Sequence, residues 1–361
     1  MRLLWLEARD FRNHRSVSIE MPQGLTAVVG ANGLGKTNLL EAVYYLCALA
    51  SPRVSVDLPL VRSGAESAFL RGEVEAAGSR ILVEVEVRVS GQNRVQVNRS
   101  AVRRKRELRR QVRAVFSGPD DLGVVQGEPG ERRRFMDEAV AALWPMKEGT
   151  ASAYDRALRQ RNRLLKDWGG AGEPPGLEGW DAELVTHGSA LTDARARAVA
   201  TMRERANKEF STLVGGSGPR LAVEYRPNVA GVPVEEAFVA QLAGRRADEL
   251  VRRTTLVGPH RDDLSLTVED LAARGFASHG EAWGAAVALR LALAGAVAEE
   301  VREPPILLLD DPFLGLDPAR RGRLAEGLGG RGQVAIAVPD AAHVPPGATV
   351  WRIEEGRIGP A

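Results

Sequence analysis

Hydrophobic and polar residues follow two different patterns along this chain of 361 residues. Continuous apolar runs at Leu25–Val29, Ile306–Leu309 and Val334–Val338 predict strands covered on both faces, as in a parallel sheet. Strict alternation over Ile81–Val89 predicts a strand with one solvated face, and a turn then leads into a second strand at Arg94–Asn98. The patterns therefore predict a covered parallel sheet and an antiparallel hairpin.

The middle of the chain has the spacing of helices. Apolar residues recur every three or four positions through Tyr154–Trp168 and Leu191–Phe210, and the Gly- and Pro-rich segment Gly169–Gly179 separates them as a predicted loop. The two helices can pair as a hairpin, but neither keeps a heptad pattern long enough for an extended coiled coil. A strand at Leu264–Val268 and an Ala- and Leu-rich helix at Glu281–Arg302 follow.

Composition limits the class of protein. Hydrophobic residues make up 44% and charged residues 27% of the chain, which excludes a disordered or fibrous protein. The single cysteine, Cys47, excludes a disulfide framework and fits a reducing compartment such as the cytoplasm. The longest apolar run, Ala282–Ala298, is interrupted by Arg290, and Met1 leads into no signal segment, so we expect no membrane span. A net charge of +2 permits an acidic partner without requiring one.

The segment after the first apolar run fits the phosphate-binding P-loop pattern GxxxxGK[ST] at every fixed position. Its glycines let backbone N–H groups turn toward phosphate oxygens, and a helix predicted at Asn38–Leu49 adds the positive end of its dipole. We expect Lys36 to reach the β- and γ-phosphates of a nucleotide and the Thr37 hydroxyl to ligate Mg²⁺. The predicted nucleotide-binding residues are Gly30, Ala31, Asn32, Gly33, Leu34, Gly35, Lys36 and Thr37.

Two carboxylates follow the apolar run at Ile306–Leu309. Because ligands bind at the carboxyl ends of parallel strands, Asp310 and Asp311 are predicted to face the nucleotide. Asp310 would hold Mg²⁺ through water, whereas Asp311 lies where a carboxylate can orient the attacking water. Helix capping is the structural alternative, because Pro312 follows. Lys36 and Asp311 are the predicted catalytic residues, and Thr37 and Asp310 the predicted metal ligands.

A third motif, Ser278-His279-Gly280-Glu281, begins the Ala- and Leu-rich helix about 30 residues before the acidic pair. On local grounds it is a capping box, with Ser278 as the N-cap and Glu281 three residues later. The order of the three motifs resembles that of ATP-binding-cassette heads, in which such a helix start faces the γ-phosphate bound to the opposite subunit. By that resemblance Ser278 and Gly280 contact a nucleotide across a dimer interface, where Asp317 is the D-loop aspartate.

Longer strings resemble one family of such heads. Asp10-Phe11-Arg12-Asn13-His14, Phe116–Met136 and, most specifically, Gly258-Pro259-His260-Arg261-Asp262-Asp263 resemble the RecF family of bacterial recombination and DNA-repair ATPases, in the SMC-like group. The continuation of the P-loop at Asn38–Ala42 and the pair Trp180-Asp181 fit the same family. The resemblance therefore runs over nearly the whole chain.

The resemblance implies both a fold and a function. The fold is an α/β P-loop NTPase with an ABC/SMC-like ATPase head, formed by residues 1–118 and 252–361, and a helical arm lobe without a long coiled coil at 119–251. The second part of the head holds the signature helix, the Walker B strand and the D-loop. The function is that of an ATP-dependent homodimer with weak DNA-dependent ATPase activity. It binds duplex DNA next to single-stranded gaps and loads the RecA recombinase with RecR and RecO.

Some positions depart from the family pattern. Ala282 and Trp283 stand where the family usually has Gln or Gly and then Arg, which leaves the ATP turnover rate and the strength of dimerisation open. A glutamine switch is not evident, and the alternatives are Gln126 and the pair Asp120/Asp121. His260, Arg261, Asp262 and Asp263 could form a catalytic constellation, but a buried network that links the two lobes is the preferred interpretation.

Between Arg99 and Arg113 the only acidic residue is Glu107. Duplex DNA attracts such a basic cluster through counterion release, and without an interleaved aromatic residue the cluster predicts sequence-independent backbone binding. A solvated helix face is the structural alternative. The run Arg132-Arg133-Arg134 either belongs to the family's Arg cluster or tethers the helical lobe to the nucleotide. The predicted DNA-binding residues are Arg103, Arg104, Lys105, Arg106, Arg109 and Arg110.

Three other functions fit parts of these data. A nucleotide-binding subunit of a membrane transporter would share the three motifs, but Pro339-Asp340 follows the strand Val334–Val338 where transporters have a histidine. An SMC-type structural tether would need a longer heptad-rich helix pair. A DNA-binding module with negligible ATP turnover is compatible with the Ala282/Trp283 departure.

Overall fold

The computed structural model describes residues 1–170, 172–216, 218–354 and 357–360. Its strands are β1 (Arg2–Phe11), β2 (His14–Glu20), β3 (Leu25–Val29), β4 (Ser67–Ala76), β5 (Ser79–Arg88), β6 (Arg94–Val97), β7 (Ser100–Ala101), β8 (Ala114–Ser117), β9 (Leu221–Arg226), β10 (Asp263–Val268), β11 (Leu271–Ala272), β12 (Ile306–Asp310), β13 (Val334–Val338), β14 (Thr349–Glu354) and β15 (Arg357–Pro360). Its helices are α1 (Lys36–Ala48), α2 (Lys105–Arg109), α3 (Leu122–Gln126), α4 (Pro129–Leu143), α5 (Gly149–Asp167), α6 (Leu177–Val214), α7 (Val234–Arg252), α8 (Ala273–Phe276), α9 (His279–Val301) and α10 (Pro318–Leu328).

A six-stranded sheet in the order β15-β14-β3-β13-β12-β8 forms the centre of the fold. Its strands run parallel except for β15 at the edge. Alternate residues of each strand face opposite sides: Leu309 packs in the same core as α9, and Leu308 in the core that contains α1. Helices thus cover both faces, which confirms the parallel sheet predicted from the continuous apolar runs.

The second six-stranded sheet, in the order β2-β1-β4-β5-β6-β7, is antiparallel. The alternating residues Val83, Val85 and Val87 are buried against α1, while Glu84 and Glu86 lie on the other face. The predicted hairpin is confirmed, because β5 pairs with β6 in register. One face of this sheet therefore closes the core around the helix that follows the P-loop.

Helices α5, α6 and α7 form a lobe with its own small core, which includes Tyr154, Leu184 and Phe238. The helices α5 and α6 pack together as the predicted hairpin, and the helices of the described ranges form no long coiled coil. The loop predicted at Gly169–Gly179 is too long, because α6 begins at Leu177. Strand β9, which pairs with β10, was not predicted, since its six residues lie within a region of helical spacing.

Helix α9 is long and apolar enough to cross a membrane by composition, but most of its residues are packed inside the protein. Arg290 interrupts its apolar sequence and is held there by Asp121 Oδ1 at 2.6 Å and Glu138 Oε2 at 2.9 Å. Its guanidinium also lies over the ring of Phe135, 5.2 Å from the ring centroid. Helix α9 is therefore a buried helix of the core. The charge of Arg290 is tolerated within it because the guanidinium is paired with two carboxylates.

Candidate nucleotide-binding site

The predicted P-loop joins the end of β3 to the start of α1. Gly33 and Gly35 have φ angles of 87° and 103°, a backbone region that favours glycine. A Cβ at Gly35 would lie 2.6 Å from Oδ1 of Asn13 and 2.8 Å from Cε1 of His14, so the loop has no room for a larger residue there. The two glycines therefore shape a loop whose N–H groups lead into the N-terminus of α1, where the helix dipole favours an anion.

Lys36 and Thr37 begin α1, and their side chains contact the P-loop and the end of β12. Lys36 is buried, and its ammonium donates hydrogen bonds to the carbonyl oxygens of Gly30 at 2.7 Å and Ala31 at 3.2 Å. The Thr37 hydroxyl lies 2.9 and 2.8 Å from the two carboxylate oxygens of Asp310, at the end of β12. The loop and the acidic pair, far apart in sequence, thus form one site.

The donor set of Thr37 and Asp310 fits Mg²⁺. Burial raises the pKa of Asp310 to about 6, and the neighbouring charge of Asp311 adds to the rise while the hydrogen bond from Thr37 opposes it. A cation bound there would offset the desolvation of the carboxylate and favour its ionised form. Mg²⁺ is commonly bound by one or two protein oxygens together with substrate phosphates. When bound there, the ion would neutralise charge on the phosphates.

Asp311 has an unusual backbone and an unpaired carboxylate. Its φ is 47°, an uncommon conformation that Asp tolerates better than most residues, and its N–H donates to Ala337 O at 3.1 Å. Its Oδ1 is buried, and no described residue forms a hydrogen bond with it. Burial raises the pKa of Asp311, while the charge of Lys36 lowers it. A strained residue with an unsatisfied oxygen beside a cavity of about 300 Å³ is typical of a functional group.

The signature motif forms the capping box that its sequence predicts. Ser278 caps α9: its hydroxyl accepts from Glu281 N at 3.3 Å, and its own N–H donates to Glu281 Oε2 at 2.9 Å. The hydroxyl hydrogen bond from Ser278 is the main cause that lowers the pKa of Glu281. Gly280 packs against Arg320, whose guanidinium pairs with Asp317 at 3.2 Å. The turn at Ser278–Glu281 and the predicted D-loop residue Asp317 are therefore neighbours within one chain. Both Ser278 and Asp317 are exposed.

The residues that depart from the family pattern lie in the core. Ala282 and Trp283 are both buried. The indole N–H of Trp283 donates to Pro312 O at 2.9 Å, directly after the acidic pair. Trp283 therefore ties α9 to the turn that follows β12, and neither side chain is available at the surface of the chain.

Several residues around the P-loop carried no predicted role. His14 Nε2 lies 3.0 Å from Gly35 O. Asn38 donates to Asn13 Oδ1 at 2.8 Å and accepts from Arg53 at 3.0 Å. The string that contains Asn13 and His14 was recognised only as a family resemblance, and periodicity gave no signal, because both residues act through the turn between β1 and β2.

The structure separates the two alternatives to a glutamine switch. Asp121 is held by Arg290 and accepts from Gly118 N at 3.1 Å, so it stabilises the turn after β8. Asp120 and Gln126 are exposed. Asp121 is therefore committed to the fold, whereas Asp120 and Gln126 remain exposed after β8.

The basic segment lies on and around the short helix α2. Arg103, Arg104, Lys105 and Arg110 are exposed. Arg109 differs from them, because its Nε donates to Ala48 O at 2.7 Å and its Nη1 lies 3.1 Å from Glu148 Oε1. The segment thus offers an exposed set of cations anchored to the head by Arg109.

His260, Asp262 and Asp263 of the segment Gly258–Asp263 take part in a largely buried network, as preferred from the sequence, whereas Arg261 is exposed and lies outside it. Asp262 is fully buried and accepts hydrogen bonds from Arg195 at 3.0 Å, from the N–H of Asn228 at 2.8 Å and from the hydroxyl of Tyr225. Asp263 pairs with Arg132 of α4 at 2.5 Å. The network links α4, α6, β9 and β10, so Arg132 is a tether between elements.

His260 gives this network a dependence on pH. Its Nδ1 lies 2.6 Å from the Tyr154 hydroxyl, and burial, with smaller contributions from nearby arginines, lowers the pKa of His260 to about 4. Below pH 6.5 the unfolded chain binds a proton that the native chain does not, so stability falls as the pH drops toward 4. We expect a loss of roughly 2 kcal/mol between pH 7 and pH 5.

Urea unfolding at these two pH values tests the prediction. His260→Gln should remove about that much of the pH dependence, whereas His187→Gln, at a surface pair with Glu183, should not. An unchanged dependence in His260→Gln would show that the imidazole does not cause it.

The fold and the joined motifs define an ATPase head of the ATP-binding-cassette type. The sequence profile of the family described as the RecF/RecN/SMC N terminal domain matches residues 2–339. Two heads of SMC proteins, among them one from Pyrococcus furiosus bound to the C-terminal domain of ScpA, share the fold with a TM-score of 0.57 at 15–16% identity.

More similar relatives narrow the family. The DNA replication and repair protein RecF of Streptomyces avermitilis is 42% identical, with 99% of each chain covered, and that of Kineococcus radiotolerans is 40% identical over 97% of this chain and 99% of its own. A solved structure of the recombination mediator protein RecF with ATP, in the RecFOR pathway, has a TM-score of 0.89 at 26% identity, covering 99% of this chain and 97% of that one. The chain belongs to the RecF family, which confirms the resemblance and the fold class.

Proposed function

We propose that the chain is an ATP-gated DNA-binding protein of recombinational repair and replication-fork maintenance. Lys36, Thr37 and Asp310 of one copy bind ATP and Mg²⁺, and Ser278 and Gly280 of a second copy complete each site. The observation that carries the proposal is the single site formed by Thr37 and Asp310 at 2.8 Å. ATP-bound structures of a RecF relative support the choice of nucleotide.

Exposed apolar side chains beside the two motifs predicted to lie at the dimer interface support the proposed dimer. Phe276, two residues before Ser278, is 70% exposed, and Leu314, three residues before Asp317, is 47% exposed. Large apolar side chains beside exposed polar motifs are typical of surfaces that become buried on association. The γ-phosphate provides the differential affinity for the closed state, and hydrolysis, with Asp311 orienting water, reopens it.

The partner that the dimer holds is duplex DNA next to single-stranded gaps. The exposed cations around α2 supply sequence-independent contacts to phosphates. The RecFOR pathway named with the solved RecF structures supports cooperation with RecR and RecO. The loading of RecA, a weak DNA-stimulated ATPase activity and a cytoplasmic location are part of the same proposal, by resemblance to the RecF family. The buried placement of Trp283 gives no specific support to a module without turnover.

Sedimentation with ATP and with ADP tests the gate. Ser278→Arg should weaken the ATP-dependent dimer by at least about 30-fold, since a bulky charge would face the nucleotide of the other copy. Ser90→Arg, an equal change at an exposed serine of the β5–β6 turn, should dimerise normally. Equal association in ATP and ADP, or tight duplex binding by nucleotide-free monomers, would refute the proposal.

A further inference from the structure

A polar groove of about 550 Å³ lies in the helical lobe, far in sequence from the predicted DNA-binding segment. The C-terminal half of α7 forms one wall, and the segment that leads into Gly258–Asp263 forms the other. Three arginines line the groove, Arg245, Arg252 and Arg261, with a single carboxylate, Asp248. We name it the arm groove; neither the P-loop site nor the basic segment around α2 contributes a residue to it.

The charges of the arm groove do not cancel. Arg245 pairs with Asp248 at 3.1 Å. Arg252 and Arg261 are exposed, and neither pairs with a carboxylate among the described residues. Arg252 ends α7, where a cation stabilises the helix dipole, but Arg261 has no such role. The guanidinium of Arg261 thus has neither a charged partner among the described residues nor a role at a helix end.

The lining indicates which kind of anion the groove accepts. Guanidinium groups bind phosphate through paired hydrogen bonds, and Gln241 and Asn228 add polar groups to the same walls. The apolar lining consists of Leu256 and Val257, with no aromatic residue. Interfaces with proteins are usually anchored by aromatic residues, which this lining lacks. The groove therefore suits a phosphodiester backbone better than an acidic protein.

A second cavity is lined both by the end of the basic segment and by the helical lobe. His260, adjacent to Arg261, lines this cavity of about 490 Å³, and Arg109 at the end of α2 lines that cavity too. The same lining contains Arg133 and Lys147, neither of which pairs with a described carboxylate, together with the carboxylates of Asp137, Glu138, Glu148 and Asp155. Arg109 of the head thus shares a cavity with the residue that precedes Arg261.

We propose that the arm groove is a second phosphate-backbone contact for the DNA that the α2 segment binds, with Arg252 and Arg261 as its binding residues. The inference rests on the proposed DNA binding. It extends the contact from the head across the helical lobe, so it requires a duplex long enough to reach both places.

Fluorescence anisotropy with saturating ATP tests the contact over a salt series. Each phosphate contact contributes about 0.9 to the slope of log K against log salt, so Arg252→Gln/Arg261→Gln should lower the slope by about 2 for a duplex of about three helical turns. The same variant should match the unmutated protein on a duplex of about one turn. Arg163→Gln/Arg203→Gln, which neutralises two exposed arginines of the same lobe outside the groove, is the control.

The outcomes separate the two proposals. If the unmutated protein binds no duplex with ATP, the proposed function fails. If it binds and the groove variant has the slope of the control on the long duplex, only the arm groove is refuted. Loss of binding to poly-L-glutamate with an unchanged DNA slope would assign the groove to an acidic protein instead.

A thiol footprint locates the contact independently of charge. Because Cys47 is buried and is the only cysteine, Gln241→Cys places one reactive thiol in the groove wall. The long duplex should slow its alkylation several-fold and leave Ala200→Cys, exposed on α6, unaffected. Equal alkylation of Gln241→Cys with and without DNA would overturn the assignment.

Discussion

Asp311→Asn is expected to lower ATP turnover by about 10²–10⁴-fold while nucleotide binding remains. Asparagine keeps the size of the side chain and tolerates the left-handed backbone at φ 47°, so the fold should not change. It removes the negative oxygen that no described residue satisfies and that would orient the attacking water. Single-turnover hydrolysis measures the rate, and sedimentation should show a dimer that persists after ATP is added.

Two comparisons isolate the role of this carboxylate. Lys36→Ala should lose nucleotide binding itself, and therefore both turnover and the dimer. Asp340→Asn makes the same chemical change after the neighbouring strand β13, where the side chain caps a short turn by accepting from Ala342 N at 2.9 Å; its turnover should stay near that of the unmutated protein. If Asp311→Asn hydrolysed ATP at the unmutated rate, a different group would have to orient the water.

The meeting of the P-loop with the acidic pair was predictable because its signals are local. The spacing of the P-loop and the two carboxylates after an apolar run each lie within eight residues, and parallel-sheet topology then brings Thr37 and Asp310 together. The residues that support the loop were not predictable in this way. Asn13 and His14 reach Gly35 only because β1 and β2 fold back over the start of α1, which is a tertiary contact without a sequence period.

Long-range pairing also explains why strand β9 and the structural role of Asp121 were not predicted. Strand β9 exists because its residues pair with β10, about 40 positions later, and a local window cannot detect such a partner. Asp121 was a candidate for switching by its position after β8, but its partner Arg290 is nearly 170 residues away. In both cases the partner that determines the structure lies far away in the sequence, so a local pattern does not identify it.

At Gly258–Asp263 the sequence indicated a specific group of residues but did not decide their role. The string was specific to a family, and its residue types suggested either catalysis or a buried link. Full burial of Asp262, and its bonds to Arg195, Tyr225 and Asn228, decide for the link. The charged residues of this string therefore join structural elements of the fold.

Asp262→Ala is expected to lower the free energy of unfolding by about 3–5 kcal/mol. The change leaves the buried guanidinium of Arg195 with only Asp137 as a charged partner, and it strands the Tyr225 hydroxyl and the Asn228 N–H. Burial raises the pKa of Asp262, against the hydrogen bonds that favour its carboxylate, so the site depends on every one of these donors. Urea unfolding monitored by circular dichroism measures the loss.

The location of the loss distinguishes a link between lobes from a general core defect. Hydrogen exchange in Asp262→Ala should accelerate most in α5, α6 and α7, while α1 and β12 keep their protection, because the network joins the helical lobe to β10. Asp248→Ala, which removes a carboxylate from a surface pair with Arg245, should cost under about 1 kcal/mol. Uniform acceleration across head and lobe would mean that Asp262 stabilises one continuous core, and the two lobes would then unfold as a single unit.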